Sequence, residues 1–387
     1  MHSFDVAVVG AGPSGSAAAY RLASAGTRVL LVDRATFPRD KPCGGGVTGR
    51  AARLVPFSID PVVEHVVDRL DARLQYLPRT RFVRQARAPL AYMTQRRRLD
   101  HFLLEKAAAA GADVRDGVKV EDVRDGGLTV DGQEVEARIV IAADGCNGRA
   151  ARALGLAEEV DHGVALEANV PYDPRYAHAM VLEIAVVHGG YGWVFPKGDH
   201  LNVGVGGNES EGPRLRAHLQ RLCDAHGIDL ATATDLRGYR LPMRRAGSVL
   251  ARGATAAIGD AAGLVDPFSG DGMYEGFYSA KLVAEASLDL LAGRASGLEP
   301  YAAAVERQIT PLTAAGWGAK AAFERFPRTT FALARLPLAF RALERVLRGD
   351  LGHPGAATGL EKAAIMLIYG VALRAGDPGR AFRTAPV

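Results

Sequence analysis

The stretch "FDVAVVGAGPSGSAAAYRLASAGTRVLLVDRA", residues 4–35, decides the fold. Residues 4–9 are an apolar run, Gly10, Gly12 and Gly15 follow in G-x-G-x-x-G spacing, an alanine-rich segment comes next, and "RVLLVD" ends on Asp33. Strand, glycine turn, helix and strand make a complete βαβ unit. Each glycine has a mechanical task. Gly10 makes the tight turn, Gly12 lets the backbone approach a pyrophosphate, and Gly15 lets the helix lie close on the sheet. Pro13 and Ser14 fill the first helical turn, whose unpaired N–H groups and partial positive charge face the anionic ligand. Asp33, with Arg34 beside it, is placed to accept hydrogen bonds from a ribose 2′-hydroxyl, and it would repel a 2′-phosphate. The dinucleotide expected is FAD or NAD, not NADP.

Two distant segments choose between them. "ARIVIAADGCNGRAARALGL" (137–156) reads as a buried strand running into Ala143-Asp144-Gly145, and "RGATAAIGDAAGLVDPFSGDGMYEGFYSAKLVAEAS" (252–287) as a strand running into Gly259-Asp260, a loop and a long helix. Taken singly, each also fits a buried strand with an ordinary Asp-Gly turn. A flavin extends its ribitol and three-ring system away from the pyrophosphate, so further strand ends must carry acids for the ribitol hydroxyls. Asp260 suits that task. Gly270, Gly272 and Met273 open the long helix, whose N-terminal partial positive charge favours an anionic reduced flavin. FAD is therefore the expected cofactor.

At 387 residues the chain exceeds what one core usually fills, so two domains or one elaborated domain are expected. Forty-seven basic against 43 acidic residues, with the arginines scattered, argue against a nucleic-acid partner. Cys43, Cys146 and Cys223 are odd in number and far apart, which fits neither a disulfide framework nor a metal site. The N-terminal sequence enters the folded pattern without a basic and apolar leader, which predicts a cytoplasmic location.

"GGYGWVFPKGDHLNVGVGG" (189–207) alternates around Lys197-Gly198-Asp199 and reads as an antiparallel hairpin. The period of two puts Tyr191, Trp193 and Phe195 on one face, where they would line an apolar slot; for Phe195, ordinary sheet core fits nearly as well. Gly204 and Gly206 do not mark a second dinucleotide site, because no strand-to-helix transition follows them. "MTQRRRLDHFLLEKAAAAGADVRDGVKVEDV" (93–123) predicts a helix opening after Thr94 and closing at Gly111, then strands.

The G-x-G-x-x-G, A-D-G and G-D-A-A-G motifs, in that order, resemble the flavoprotein superfamily of para-hydroxybenzoate hydroxylase type. Within it, "KPCGGGVTGRA" (41–51) and the 189–207 hairpin resemble the geranylgeranyl reductase family, with the likeness covering residues 1 to about 300. The resemblance implies an α/β fold with an antiparallel substrate part. A Rossmann-like FAD domain (1–51, 94–157, 250–295) would interleave with a substrate sheet (52–93, 158–249), followed by C-terminal helices (296–387). It also implies reduction of isolated C=C bonds in polyprenyl lipid or isoprenoid quinone, with electrons from NAD(P)H or a redox protein. Arg96 of R-x-x-L-D-x-x-L would contact the pyrophosphate or ribitol, Val120 the adenine by its backbone, and Asp144 and Gly145 the cofactor. Gly148 stands where the superfamily usually has serine.

A flat ring can be approached by backbone only where Cβ atoms are absent, so Gly44, Gly45 and Gly46 would form a wall against the flavin, with Gly46 leaving room for substrate. The family resemblance implies that Cys43 sits beside the reactive face and aids alkene protonation; its other reading is a buried apolar cysteine under a glycine loop. Tyr191 and Trp193 would act at the reaction centre, with Phe195 completing the substrate slot. The competing classes are a flavin monooxygenase or halogenase acting on an aromatic or polyketide-type molecule, and a non-catalytic prenyl carrier. A halogenase would carry W-x-W-x-I-P where this chain has Tyr191-Gly-Trp193-Val-Phe195-Pro196. In the C-terminal part, "AAIMLIYGVAL" (363–373) is too short to span a bilayer. It reads as a helical cap on the protein's own core, with a membrane-surface or dimer face as the second reading.

Overall fold

The computed structural model describes residues 2–376, 378–379 and 381–382. The expected βαβ unit forms as β1 (His2–Val9), α1 (Pro13–Ser24) and β2 (Val29–Val32). Val6 to Val9 and Val29 to Val32 are buried along their whole length, as in parallel strands covered on both faces. β1 pairs in parallel with β2 (Val6 opposite Val29) and with β11 (Gln133–Ala142; Val6 opposite Ile139). Adding β8 (Asp113–Arg115), β17 (Ala251–Arg252) and β18 (Thr255–Ala257) gives the order β17-β18-β11-β1-β2-β8. The hairpin β9 (Val120–Arg124) and β10 (Gly127–Val130) is appended to β11. On the faces lie α3 (Arg96–Ala109) and α6 (Met273–Leu291), and the buried methyl groups of Ala17, Ala18 and Ala19 let α1 pack closely against its neighbours.

The second sheet has seven strands: β5 (Arg69–Leu74), β6 (Phe82–Gln85), β12 (Val160–Pro171), β13 (Ala179–Ile184), β14 (Tyr191–Lys197), β15 (His200–Asn208) and β16 (Thr234–Arg244), in the order β16-β12-β15-β14-β13-β5-β6. One pair departs from the expected antiparallel pattern: β13 runs parallel to β5, Ala179 opposite Arg69, because a long excursion separates them in the chain. Helix α5 (Leu215–His226) covers one face, burying Leu215, Leu219, Leu222 and Cys223 against Val203 and Val205.

A small sheet of β3 (Gly46–Thr48), β7 (Ala91–Thr94) and β4 (Val63–Val67) joins the two large sheets. Val55, Ile59 and Val62 pack into the core of the parallel sheet rather than that of the second sheet. Short helices α2 (Gly49–Ala52) and α4 (Ala150–Ala153) follow β3 and β11. The chain then continues as α7 (Glu299–Gln308), α8 (Thr310–Arg325), α9 (Pro327–Ala334), α10 (Pro337–Arg348) and α11 (Gly359–Arg374). Among the described residues no helix is long and apolar enough to cross a membrane.

Candidate functional site

The glycine turn is held by the protein at two positions and left open at the third. Gly10 has φ +107°, and a Cβ there would lie 2.4 Å from the Ala143 carbonyl oxygen; one on Gly15 would lie 1.8 Å from the Gly10 carbonyl oxygen. These two glycines serve strand-to-helix packing. A Cβ on Gly12 would meet nothing nearer than the Arg39 guanidinium at 3.7 Å, so the protein's own packing leaves that space to a ligand. The first turn of α1 carries no acidic residue and no side-chain cap, which leaves its N–H groups to an anion. The residues present therefore fit the pyrophosphate of FAD.

Asp33 accepts from the Ala11 N–H at 2.7 Å and the Ala35 N–H at 2.9 Å, so the carboxylate also braces the turn while keeping further lone pairs for a ribose. Arg34 is exposed beside it. The backbone next to Asp33 is that of Val118, whose N–H donates to the Asp33 carbonyl at 3.1 Å; Val120 lies two residues farther along, at the start of β9 and paired with β10. Arg96 is buried in a two-pronged ion pair with Asp100 at 2.7 Å, and Asp100 also accepts from Arg39 at 2.6 Å. Its guanidinium is thus fixed by an acid one helical turn on, with Arg39 as its neighbour on the cradle side.

Oδ2 of Asp144 is turned to α4, while Oδ1 is buried without a hydrogen-bond partner among the described residues. The carboxylate accepts from the Arg149 and Ala150 N–H groups at 2.7 and 2.9 Å, capping α4. Burial raises its pKa against those two hydrogen bonds. The same geometry accounts for Gly148, where a Cβ would fall 2.0 Å from the Asp144 carboxyl carbon. Gly145, at φ +78°, instead faces the neighbourhood of Tyr239 and Lys41.

Those two side chains converge on Asp260, with Lys41 Nζ 3.2 Å and Tyr239 Oη 3.1 Å from Oδ2. Burial works to raise the Asp260 pKa, but Lys41, Arg96 and the Tyr239 hydroxyl outweigh it and hold the carboxylate below its ordinary value. Oδ1 faces Gly272, where a Cβ would come to 3.0 Å. Gly259 (φ +56°) packs on Ser14, and Gly270 (φ +68°) bends the loop before α6. Asp271 Oδ1 caps the Met273 N–H at 2.8 Å, so the start of α6 beside Asp260 already holds one carboxylate.

The Cys43 loop is tied to the second sheet. Its N–H donates to Glu167 at 2.8 Å, its carbonyl accepts from Lys197 Nζ at 2.7 Å, and Sγ lies 3.4 Å from the Gly45 N–H. Glu167 and Lys197 are both buried, and burial pushes the Glu167 pKa up although Lys197 opposes it. Two of the glycines here answer to the protein's own neighbours as well. A Cβ on Gly44 would stand 3.1 Å from the Phe195 ring, and one on Gly45 (φ +83°) would stand 2.3 Å from the Thr94 carbonyl oxygen. Gly46 would tolerate a Cβ, with Met93 Sδ nearest at 3.7 Å, so no crowding demands glycine there.

Tyr191, Trp193 and Phe195 form a row with ring centres 5.9 and 6.3 Å apart. Trp193 donates to Asn202 Oδ1 at 2.8 Å, and Asn202 Nδ2 donates to Asn169 at 3.2 Å. Gly204 faces Trp193 across the hairpin, and a Cβ there would lie 2.1 Å from the ring. That glycine is a seat for the indole. The Tyr191 hydroxyl donates to the Ser269 carbonyl, and burial raises its pKa well above that of a free phenol. Beyond Tyr191 opens a cavity of about 130 Å³ lined by Ile184, Val187, Phe268, Phe323 and Lys320.

Sequence reasoning missed Glu167, Lys197, Asn202, Lys41, Arg39 and Tyr239. A lone polar residue inside an apolar strand was the available signal for Glu167 in "VALEANV" and for Asn202 in "HLNVGV". Among the described residues all three cysteines are free.

The fold and this cradle define a flavoprotein: the chain belongs to the FAD binding domain family, which matches residues 3–303. It is 34% identical over 315 residues to the menaquinone reductase of Mycolicibacterium smegmatis, covering 73% of this chain and 75% of that one. It is 31% identical over 307 residues to the geranylgeranyl diphosphate reductase of Rhodobacter capsulatus, covering 74% and 76%. The whole fold is shared with a geranylgeranyl bacteriochlorophyll reductase-like protein from Thermoplasma acidophilum (TM-score 0.75, 22% identity, 97% and 98% covered). It is equally shared with the myxobacterial chondrochloren halogenase (TM-score 0.69, 24% identity, 97% and 98% covered). Fold alone therefore does not choose the reaction.

Proposed function

We propose that this flavoprotein reduces C=C bonds in the polyprenyl chain of a lipid or isoprenoid quinone, with electrons from an external reduced nicotinamide or redox protein. The carrying observation is the position of Tyr191, whose ring belongs to the row that runs past Trp193 to Phe195 and Gly44, and which also borders the apolar cavity against α8. An uncharged hydrocarbon chain matches this row of aromatic rings and the largely apolar cavity beside it. The two curated relatives described above, both named as reductases of prenylated compounds, support the reading.

FAD, when bound and reduced, supplies a hydride. The chain's own residues bind, orient and protonate. Glu167 and Lys197 clamp both backbone ends of Cys43, so the thiol is presented from a loop anchored to the second sheet. An alkene that accepts hydride at one carbon needs a proton at the other, and the Cys43 thiol is the donor assigned here, with solvent restoring its proton afterwards. Trp193, locked through Asn202, gives the chain a flat wall and helps exclude water.

Anaerobic photoreduction followed by addition of geranylgeranyl lipid or menaquinone tests this. Flavin reoxidation with a mass gain of two hydrogens per bond is expected. Reoxidation by oxygen alone, with an oxygenated or halogenated aromatic product, would establish the monooxygenase or halogenase class instead.

A further inference from the structure

The described residues expose eleven large apolar side chains, and seven of them lie between residues 326 and 373. Such clustering is unlike the scatter of single apolar residues on an ordinary surface. Helix α11 concentrates it. Its buried side, with Ala364 and Ala372, packs toward α8 and α9, while Leu360, Met366, Leu367 and Leu373 are 73, 50, 55 and 48% exposed. At 100° per residue these four fall on one side of the helix, with Ala363 and Gly370 between them. A helix apolar on both sides is stable only when its outer side also leaves water.

The charges around that face say what covers it. Residues 325–374 carry eight arginines and lysines against three acids, a balance of +5 in a chain whose total is +4. The three acids are committed: Glu344 to the Arg87 N–H, Asp350 to Arg53 and Arg348, and Glu361 to Arg345. Among the described residues Arg325, Arg328, Arg341, Lys362 and Arg374 have no carboxylate partner, and all five are exposed. Lys362 and Arg374 bracket the apolar run at its two ends. Phe382, the last described residue, packs elsewhere, with Met243, Val265 and Trp317.

We propose that the outer face of α11, with the exposed arginines of α8 to α10 around it, docks on an anionic lipid surface. The helix lies in the plane of the headgroups with Leu360, Met366, Leu367 and Leu373 immersed, and the unpaired cations meet lipid phosphates. Its length rules out spanning and suits lying flat. Helix α8, which α11 packs against, and the start of α9 carry Phe323 and Pro327 on the cavity beside Tyr191, so docking holds that cavity next to the bilayer. The inference stands on exposure and charge and does not depend on which reaction the flavin performs.

The full FAD-loaded chain is mixed with phosphatidylcholine vesicles, or with vesicles that also contain phosphatidylglycerol, and sedimented. Binding to the anionic vesicles, weakened by salt, is expected. Leu367→Glu should lower it by at least about tenfold, because one immersed leucine carries that much of an interfacial affinity, and Lys362→Glu should lower it less. Both positions are exposed, so flavin absorbance and melting should match wild type. No binding to anionic vesicles, or equal binding by Leu367→Glu, would overturn the proposal. So would a wild-type dimer, seen by light scattering, that Leu367→Glu splits while neither protein binds vesicles, since a second copy would then be the occupant.

Discussion

Gly204→Ala tests whether the aromatic row is built from the second sheet. Gly204 has no left-handed φ, so backbone conformation does not forbid alanine; space does. The added Cβ would sit 2.1, 2.4 and 2.7 Å from Cζ2, Cε2 and Cη2 of Trp193. Carbon atoms pack at about 3.5–4 Å, so the indole must move by roughly 1.5 Å. Its 2.8 Å hydrogen bond to Asn202 then exceeds bonding distance. Overpacking of about 1–3 kcal/mol and a lost buried hydrogen bond of about 1 kcal/mol give a loss of roughly 2–4 kcal/mol. For a chain this long that lowers Tm by roughly 3–5 °C. FAD retention should survive, because the cradle stands on the other sheet, while alkene reduction should fall with the displaced Trp193. Adding Trp193→Phe removes Cζ2 and Cη2, two of the three clashing atoms, so the cost of the double variant should fall well short of the sum of the two single costs. Wild-type melting and turnover in Gly204→Ala, or strict additivity in the double variant, would refute the reasoning.

Cys43→Ala should leave flavin reduction intact and slow alkene saturation about 10²-fold, with Cys43→Ser recovering little, since a hydroxyl is the poorer acid; stopped-flow traces showing both half-reactions slowed equally would remove the proton-donor role. Gly12→Ala should fold and melt as the wild-type apoprotein does, because a Cβ there meets nothing nearer than 3.7 Å, yet lose FAD affinity by at least about tenfold on fluorescence titration; unchanged affinity would place the pyrophosphate elsewhere. Glu275, buried beside Asp271 and Arg50, has its pKa raised well above the ordinary value, by burial first and the Asp271 charge second. Its proton is therefore held more tightly in the folded state, and stability contributed below the unfolded pKa is lost as pH rises through the folded one. Glu275→Gln should flatten that decline, gaining on wild type in Tm as pH goes from about 4.5 upward; parallel Tm profiles would show that folding leaves the Glu275 pKa unchanged.

What the chain by itself determined is what neighbours in sequence decide. The βαβ unit of residues 4–35 is legible because strand, turn and helix each follow from residues a few positions apart, and the glycine spacing states the turn geometry directly. The 191–208 hairpin is legible for the same reason, its period of two already putting Tyr191, Trp193 and Phe195 on one side. Only the tertiary structure decided what these pieces meet. Glu167 reaches Cys43 across 124 positions and Lys41 reaches Asp260 across 219, and no local pattern encodes such a pairing. Only folding gives Asp144 a task beside the one its motif implies, because one carboxylate oxygen finds two unpaired N–H groups at the start of α4. Gly204 reads as a stray glycine until β14 pairs with β15 and brings an indole onto it. Backbone preference and periodicity act within a turn or a strand, whereas ion pairs, caps and seats for large rings arise between segments whose separation is set only when the two sheets close on each other.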